Sequence, residues 1–203
     1  MPKIIVGSSV GSLVASCICS FKYSHLFKAI DPTKGIVETF FEYKFNNFLE
    51  LITKLFKGET ILEQEPLKRA IRKYAGDMTF LEVFQTNHWN LNITVTDGNR
   101  SSDSRLLNYL TAPNVVVWSA AVASCAIPGF FSPVDLMIKT ESGEIKPYYM
   151  SHIKGSFKFV DGSVACDLPI NRMSELFNIN TFIVSQVNPH VAPFIISDGF
   201  VQG

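Results

Sequence analysis

A chain of 203 residues is long enough for one sizeable core and short for two domains. Its 18 basic and 18 acidic residues cancel, leaving no basic footprint for a nucleic acid. A charged fraction of 18% against 47% hydrophobic excludes a disordered chain.

The first element is an apolar run, Ile4-Ile5-Val6, that enters Gly7-Ser8-Ser9-Val10-Gly11. Residues 3–8 read as a buried strand and residues 10–21 as the helix behind it. Gly-x-Ser-x-Gly between a strand and a helix is the layout of a nucleophile elbow, in which a sharp turn holds a serine hydroxyl out at the sheet edge. Gly7 and Gly11 are expected where that turn is strained and the helix passes close to the strand. Ser9 then lies at a helix N-terminus, where open N–H groups favour negative charge. Two other readings fit this stretch alone: a Gly/Ser-rich turn, and a secretory signal peptide running from Met1 to Phe21.

Further along, Asp31-Pro32-Thr33 is a helix-start signal. Phe40, Phe41, Phe45, Phe48, Leu49, Ile52, Leu55 and Phe56 then form one face of a helix ending at Gly58. That face packs on the core or lies on a lipid surface. Pro66–Tyr74 is a short basic helix closed by Gly76, and Thr79-Phe80-Leu81-Glu82 is a capping box opening another. Leu91–Val95 is a strand ended by a turn at Asp97-Gly98, and Asn99–Ser104 reads as a polar loop. The sequons at Asn92 and Asn99 read as chance matches in a cytosolic chain.

The uncharged run from Leu106 to Val134 is broken by Pro113, Asn114 and Pro128-Gly129, so it reads as a buried segment rather than a membrane span. Val115-Val116-Val117 opens a strand or a buried helix, and Trp118–Ala126 is helix-compatible. Val134–Lys139 and Ile145–Tyr149 bracket Ser142-Gly143 as a β-hairpin. Phe157–Val160 is a strand running into Asp161-Gly162, Leu168–Phe177 a helix, and Thr181–Val187 an apolar strand. Strands alternating with helices indicate an α/β fold with a largely parallel sheet.

Cys17, Cys19, Cys125 and Cys166 form no C-x-x-C pair and no Cys/His zinc spacing. They read as small buried apolar residues of a reducing compartment. A serine nucleophile needs a base. A triad would use Asp161 or Asp167 followed by His190. A dyad would use Asp161 directly, because it ends a strand and Gly162 lets the chain turn away. Ligand sites in open α/β sheets lie at the carboxyl ends of strands.

Three stretches in order, Gly7-Ser8-Ser9-Val10-Gly11, Ala123 to Phe131 and Val160-Asp161-Gly162-Ser163, resemble the patatin-like phospholipase family. Leu107–Thr111, Val117–Ala120 and Phe182–His190 are similar to its branch of lipid-droplet triacylglycerol lipases. The resemblance covers nearly the whole chain, is weakest over residues 36–76, and removes the signal-peptide reading.

What the resemblance implies is one domain over residues 1–203, with a three-layer fold around a largely parallel sheet. It implies a Ser–Asp dyad, with Ser9 as nucleophile and Asp161 as general base. Gly7, Val10, Gly11, Pro128 and Gly162 would shape the elbow and the acyl site, and His190 would be a bystander. No metal or other cofactor is implied. The partners would be an acylglycerol or phospholipid substrate and, peripherally from the cytoplasm, a membrane or lipid-droplet surface. The family carries a strand and a Gly-rich oxyanion loop ahead of the elbow, whereas this chain opens at Met1, directly before it. The expectation is therefore a domain incomplete at its N-terminus, with an equally abrupt end at Gly203. Two alternatives accompany the hydrolase. One is a catalytically impaired homologue that binds lipid surfaces. The other is a phospholipase or lysolipid acyltransferase, although His25 to Asp31 is one residue too long for a His-x-x-x-x-Asp signature.

Overall fold

The computed structural model describes residues 4–21, 65–97, 100–126, 134–148, 158–161 and 168–185. The chain divides into two compact units, Met1–Pro169 and Ile170–Gly203. The expected Phe-rich helix over 40–56 and the helix start at Asp31 lie outside the described residues.

In the first unit, strand β1 (Ile4–Gly7) leads into helix α1 (Val10–Ser20). Helix α2 (Glu65–Ala75) follows, then α3 (Phe80–Asn87). Strands β2 (Asn90–Asp97) and β3 (Arg100–Leu107) come next, then helix α4 (Val117–Ser124). The unit continues with β4 (Val134–Asp135), β5 (Met137–Lys139), β6 (Ile145–Pro147) and β7 (Lys158–Asp161).

The α/β class holds, but the sheet is mixed. β1 pairs parallel to β2, whereas β3 and β7 both pair antiparallel to β2, and β4 pairs antiparallel to β7. The physical reason for the first departure is connection length. β2 ends at Asp97 and β3 begins at Arg100, and so short a link joins only antiparallel neighbours. Arg100–Ser104, expected as a polar loop, is thus the first part of a strand. The hairpin around Ser142-Gly143 is present as β5 and β6, with Gly143 at φ 84° in the turn.

Successive residues of β2 alternate between its two faces. Leu91, Ile93 and Val95 join the apolar core with Leu13 of α1, Ile71 of α2, Phe80 and Val83 of α3, Val117 of α4 and Phe159 of β7. Asn90, Asn92, Thr94 and Thr96 occupy the other face and are buried as well. Asn92 is held by Asn90 Oδ1 at 3.0 Å and by Asn108 Nδ2 at 2.9 Å, so the sequon asparagine is a buried structural group. Cys17, Cys19 and Cys125 are buried; burial pushes the Cys17 thiol up to about 12 and Cys19 higher still.

In the second unit, helix α5 (Ile170–Phe177) ends at Asn178, which takes φ 50° as a left-handed cap. Thr181–Ser185 is not a strand, and Ile183 is 94% exposed. An apolar β-forming run becomes a strand only with a ladder partner, and among the described residues it has none. Its continuation through Val187 lies outside them.

The capping box of α3 is complete: Glu82 N–H donates to Thr79 Oγ1 at 3.2 Å and Thr79 N–H donates to Glu82 Oε2 at 2.8 Å. Thr79→Ala is expected to lower stability by about 0.5–2 kcal/mol, read by urea unfolding. Burial raises the Glu82 carboxyl, but the Lys139 ammonium and the Thr79 N–H more than offset it and hold the group below the usual carboxylate range. Such a group stabilises the fold above its unfolded pKa and stops doing so as pH falls through its folded value. The thermal midpoint of Glu82→Gln should therefore fall less than that of the wild type between about pH 6 and about pH 3.

Candidate active site

Ser9 stands between β1 and α1, at φ 50° and ψ −128°. For a residue with a Cβ this lies outside the left-handed well, a strain on the order of 1–3 kcal/mol that surrounding structure must hold. The nature of Gly7 explains how the helix comes so close. A Cβ on Gly7 would lie 2.5 Å from the Gly11 carbonyl oxygen and 2.5 Å from Ser12 Cα. Gly11 differs: a Cβ there would meet nothing within 4 Å, so close approach requires glycine at position 7 and not at position 11.

Both peptide groups of Ser9 are held. Its N–H donates to Ser124 Oγ at 3.0 Å, and its carbonyl accepts from Ser12 N–H at 2.8 Å and from Ser12 Oγ at 2.6 Å. Ser12 Oγ also lies 3.3 Å from the Ala121 carbonyl. The carbonyl end of α4 therefore meets the N–H end of α1. Ser12 and Ser124 are 0% exposed. Reading the sequence assigned them no role, because each is one small residue in a run of small residues. The usable signal was that α4 is apolar apart from Ser119 and Ser124, so a hydroxyl in it must find a partner.

The strand register locates Asp161. Ile93 pairs with Gly7 and with Leu107, and Val95 pairs with Arg105 and with Asp161. A strand has two edges, so β1 and β7 share the edge of β2 opposite β3. They run towards one another and their carboxyl ends stop at Ile93 and Val95, with only Thr94 between. That spacing is about 7 Å along the strand. The elbow thus leaves the sheet beside the backbone of Asp161.

Val10 is 68% exposed and Val14 45%, one turn apart on α1, and Val6 of β1 is 37% exposed. Pro128, Gly162, Asp167 and His190 lie outside the described residues. Among the described residues no group of His, Cys, Asp and Glu could hold a metal ion, and no helix is long and apolar enough to cross a membrane.

Gly7→Ala forces the Gly11 and Ser12 backbone to move and is expected to cost about 1–3 kcal/mol or to prevent folding. Gly11→Ala should be neutral or stabilising by about 0.5–1 kcal/mol, since alanine is the better helix former. Ser9→Gly should unfold at higher urea than Ser9→Ala, because only glycine relieves the positive φ. Urea titrations of the four variants check this.

The Patatin-like phospholipase family matches residues 1–173. Triacylglycerol lipase SDP1L of Arabidopsis thaliana is 36% identical over 209 residues, covering 100% of this chain and 26% of its own length. Triacylglycerol lipase 4 of Saccharomyces cerevisiae is 40% identical over 210 residues, covering 96% of this chain and 22% of its own length. Triacylglycerol lipase ptl2 of Schizosaccharomyces pombe is 32% identical over 198 residues, covering 97% of this chain and 30% of its own length. The chain thus spans less than a third of these curated relatives. With the family matched over most of its residues, and an elbow at Ser9 facing a strand that ends in Asp161, the chain belongs to the patatin-like phospholipase family.

Proposed function

We propose that the chain is a serine acyl hydrolase that cleaves ester bonds of acylglycerols with a Ser9–Asp161 dyad. The observation that carries this reading is the register: the carboxyl ends of β1 and β7 lie two residues apart on one edge of β2. Relatives named as triacylglycerol lipases support the substrate class. In this mechanism the Asp161 carboxylate takes the Ser9 hydroxyl proton as Oγ attacks the ester carbonyl carbon. The bond to the alcohol breaks, and the alcohol leaves with the proton. Water then attacks the acyl-Ser9 ester, Asp161 takes its proton and passes it to Ser9 Oγ as the acyl–oxygen bond breaks, and a fatty acid is released. The positive end of the α1 dipole favours the negative charge that develops on the carbonyl oxygen.

Val6, Val10 and Val14 support a peripheral lipid-surface partner, a membrane or a lipid droplet met from the cytoplasm. Burial of all eight residues of β2 on both its faces supports a three-layer arrangement, because a bare face would leave four of them wet. Pro128 and Gly162 belong to this reading as site-shaping residues.

A fluorophosphonate probe with mass mapping of the adduct tests the dyad. The expected result is labelling at Ser9, with labelling and ester cleavage falling on the order of 10⁴-fold or more in Ser9→Ala and Asp161→Ala. His190→Ala should keep both. A folded but inactive His190→Ala overturns the dyad in favour of a triad. The exposed valines also favour a second reading, a lipid-surface protein that does not hydrolyse. Flotation of Ser9→Ala with triacylglycerol droplets checks it, and a chain that stays with the aqueous phase sinks it.

A further inference from the structure

We propose that Ser124 is a positioning residue for the nucleophile, acting through the backbone of Ser9 and touching no substrate itself. The proposal rests on the reading of Ser9 as the nucleophile. Ser124 is the last residue of α4, fully buried, and its Oγ accepts the Ser9 N–H at 3.0 Å across 115 positions of sequence. The dihedral φ is rotation about the bond from that nitrogen to Cα. Fixing where the N–H points therefore fixes where the Cα–Cβ bond, and with it the hydroxyl, can swing.

Ser9 needs such a hold, because φ 50° with ψ −128° is not a conformation a serine adopts unaided. Ser12 holds the other side of the same residue, its Oγ donating to the Ser9 carbonyl at 2.6 Å. Ser12 belongs to α1 itself, however, and moves with the helix. Ser124 comes from a different helix and ties the elbow to the core.

An ordinary buried hydroxyl on the same helix supplies the comparison. Ser119 is equally buried, donating to the Val116 carbonyl at 2.8 Å and accepting from Met137 N–H at 3.0 Å, so these bonds tie it to the start of α4 and to β5. If Ser124 were only cement between helices, removing either hydroxyl would lower the unfolding midpoint and leave turnover alone.

The experiment compares the full wild-type chain with Ser124→Ala, Ser124→Thr, Ser124→Cys and Ser119→Ala. It reads the rate of fluorophosphonate labelling at Ser9, kcat and KM on p-nitrophenyl butyrate, the thermal midpoint, and the exchange rate of the Ser9 amide by NMR. Ser124→Ala is expected to slow labelling and kcat about tenfold to a hundredfold with KM little changed, as for a misplaced reacting group. Its Ser9 amide should exchange faster. Ser124→Thr, which keeps the oxygen, should recover most of the rate, and Ser119→Ala should lose midpoint without losing rate. If Ser124→Ala does not fold, Ser124→Cys decides by the same readouts, because a thiol is a poor acceptor for the N–H. Labelling and kcat at the wild-type level in a folded Ser124→Ala, or unchanged Ser9 amide exchange in it, overturn the proposal. A wild-type chain that takes no label at Ser9 instead overturns the nucleophile reading, and the positioning role falls with it.

Discussion

One edge of one strand sets the geometry of this domain. β2 pairs with β1 over Asn90–Ile93 and with β7 over Val95–Asp97, both on the edge opposite β3. Backbone hydrogen bonds fix the spacing along a strand far more tightly than side chains do, so the ends of β1 and β7 cannot drift apart while the ladder holds. The mixed direction of the sheet is what brings them together. In a parallel sheet two carboxyl ends lie side by side on neighbouring strands. Here a parallel and an antiparallel neighbour meet end to end, and the elbow leaves through the gap. β2 is buried along its whole length.

The second constraint is the meeting of α1 and α4. A helix begins with unpaired N–H groups and ends with unpaired carbonyls. At this junction the donor end of one lies against the acceptor end of the other: Ser9 N–H donates across to Ser124 Oγ, and Ser12 Oγ, which donates to the Ser9 carbonyl, lies 3.3 Å from the Ala121 carbonyl. Each such bond contributes about 0.5–1.5 kcal/mol net, comparable to the strain of one residue held at an unfavourable φ. The elbow is therefore a balanced arrangement: Gly7 lets the helix approach, and the serines keep it there.

Much of this was legible in the sequence, for identifiable reasons. Ile4-Ile5-Val6 before a Gly-x-Ser-x-Gly, the Thr79–Glu82 capping box and the Ser142-Gly143 turn are local signals, and local physics realises each of them. The misses share one cause. Arg100–Ser104 is too polar to announce a strand, yet β2 supplies the ladder that makes it one. Thr181–Ser185 has the composition of a strand and is not one among the described residues. Strand formation depends on a partner distant in sequence, and so did the parallel or antiparallel sense of the sheet. Ser12 and Ser124 were unreadable for the same reason, since a hydroxyl in a small-residue helix gives no sign of which carbonyl or amide it will meet.

The distance in sequence between Ser9 and Ser124 has a consequence for how the domain assembles. The β2–β3 and β5–β6 hairpins close short loops and need little chain entropy to form. The Ser9–Ser124 bond joins positions 115 apart, and β1 meets β2 across a similarly long stretch. Contacts of that separation lose the most loop-closure entropy before they return any enthalpy, so they form late and part early. A chain partly opened by heat or denaturant would keep its hairpins and their circular-dichroism signal after the elbow had come away from α4. Loss of chemistry would then precede loss of secondary structure, and a melting curve read from the backbone alone would overstate the range in which the molecule works.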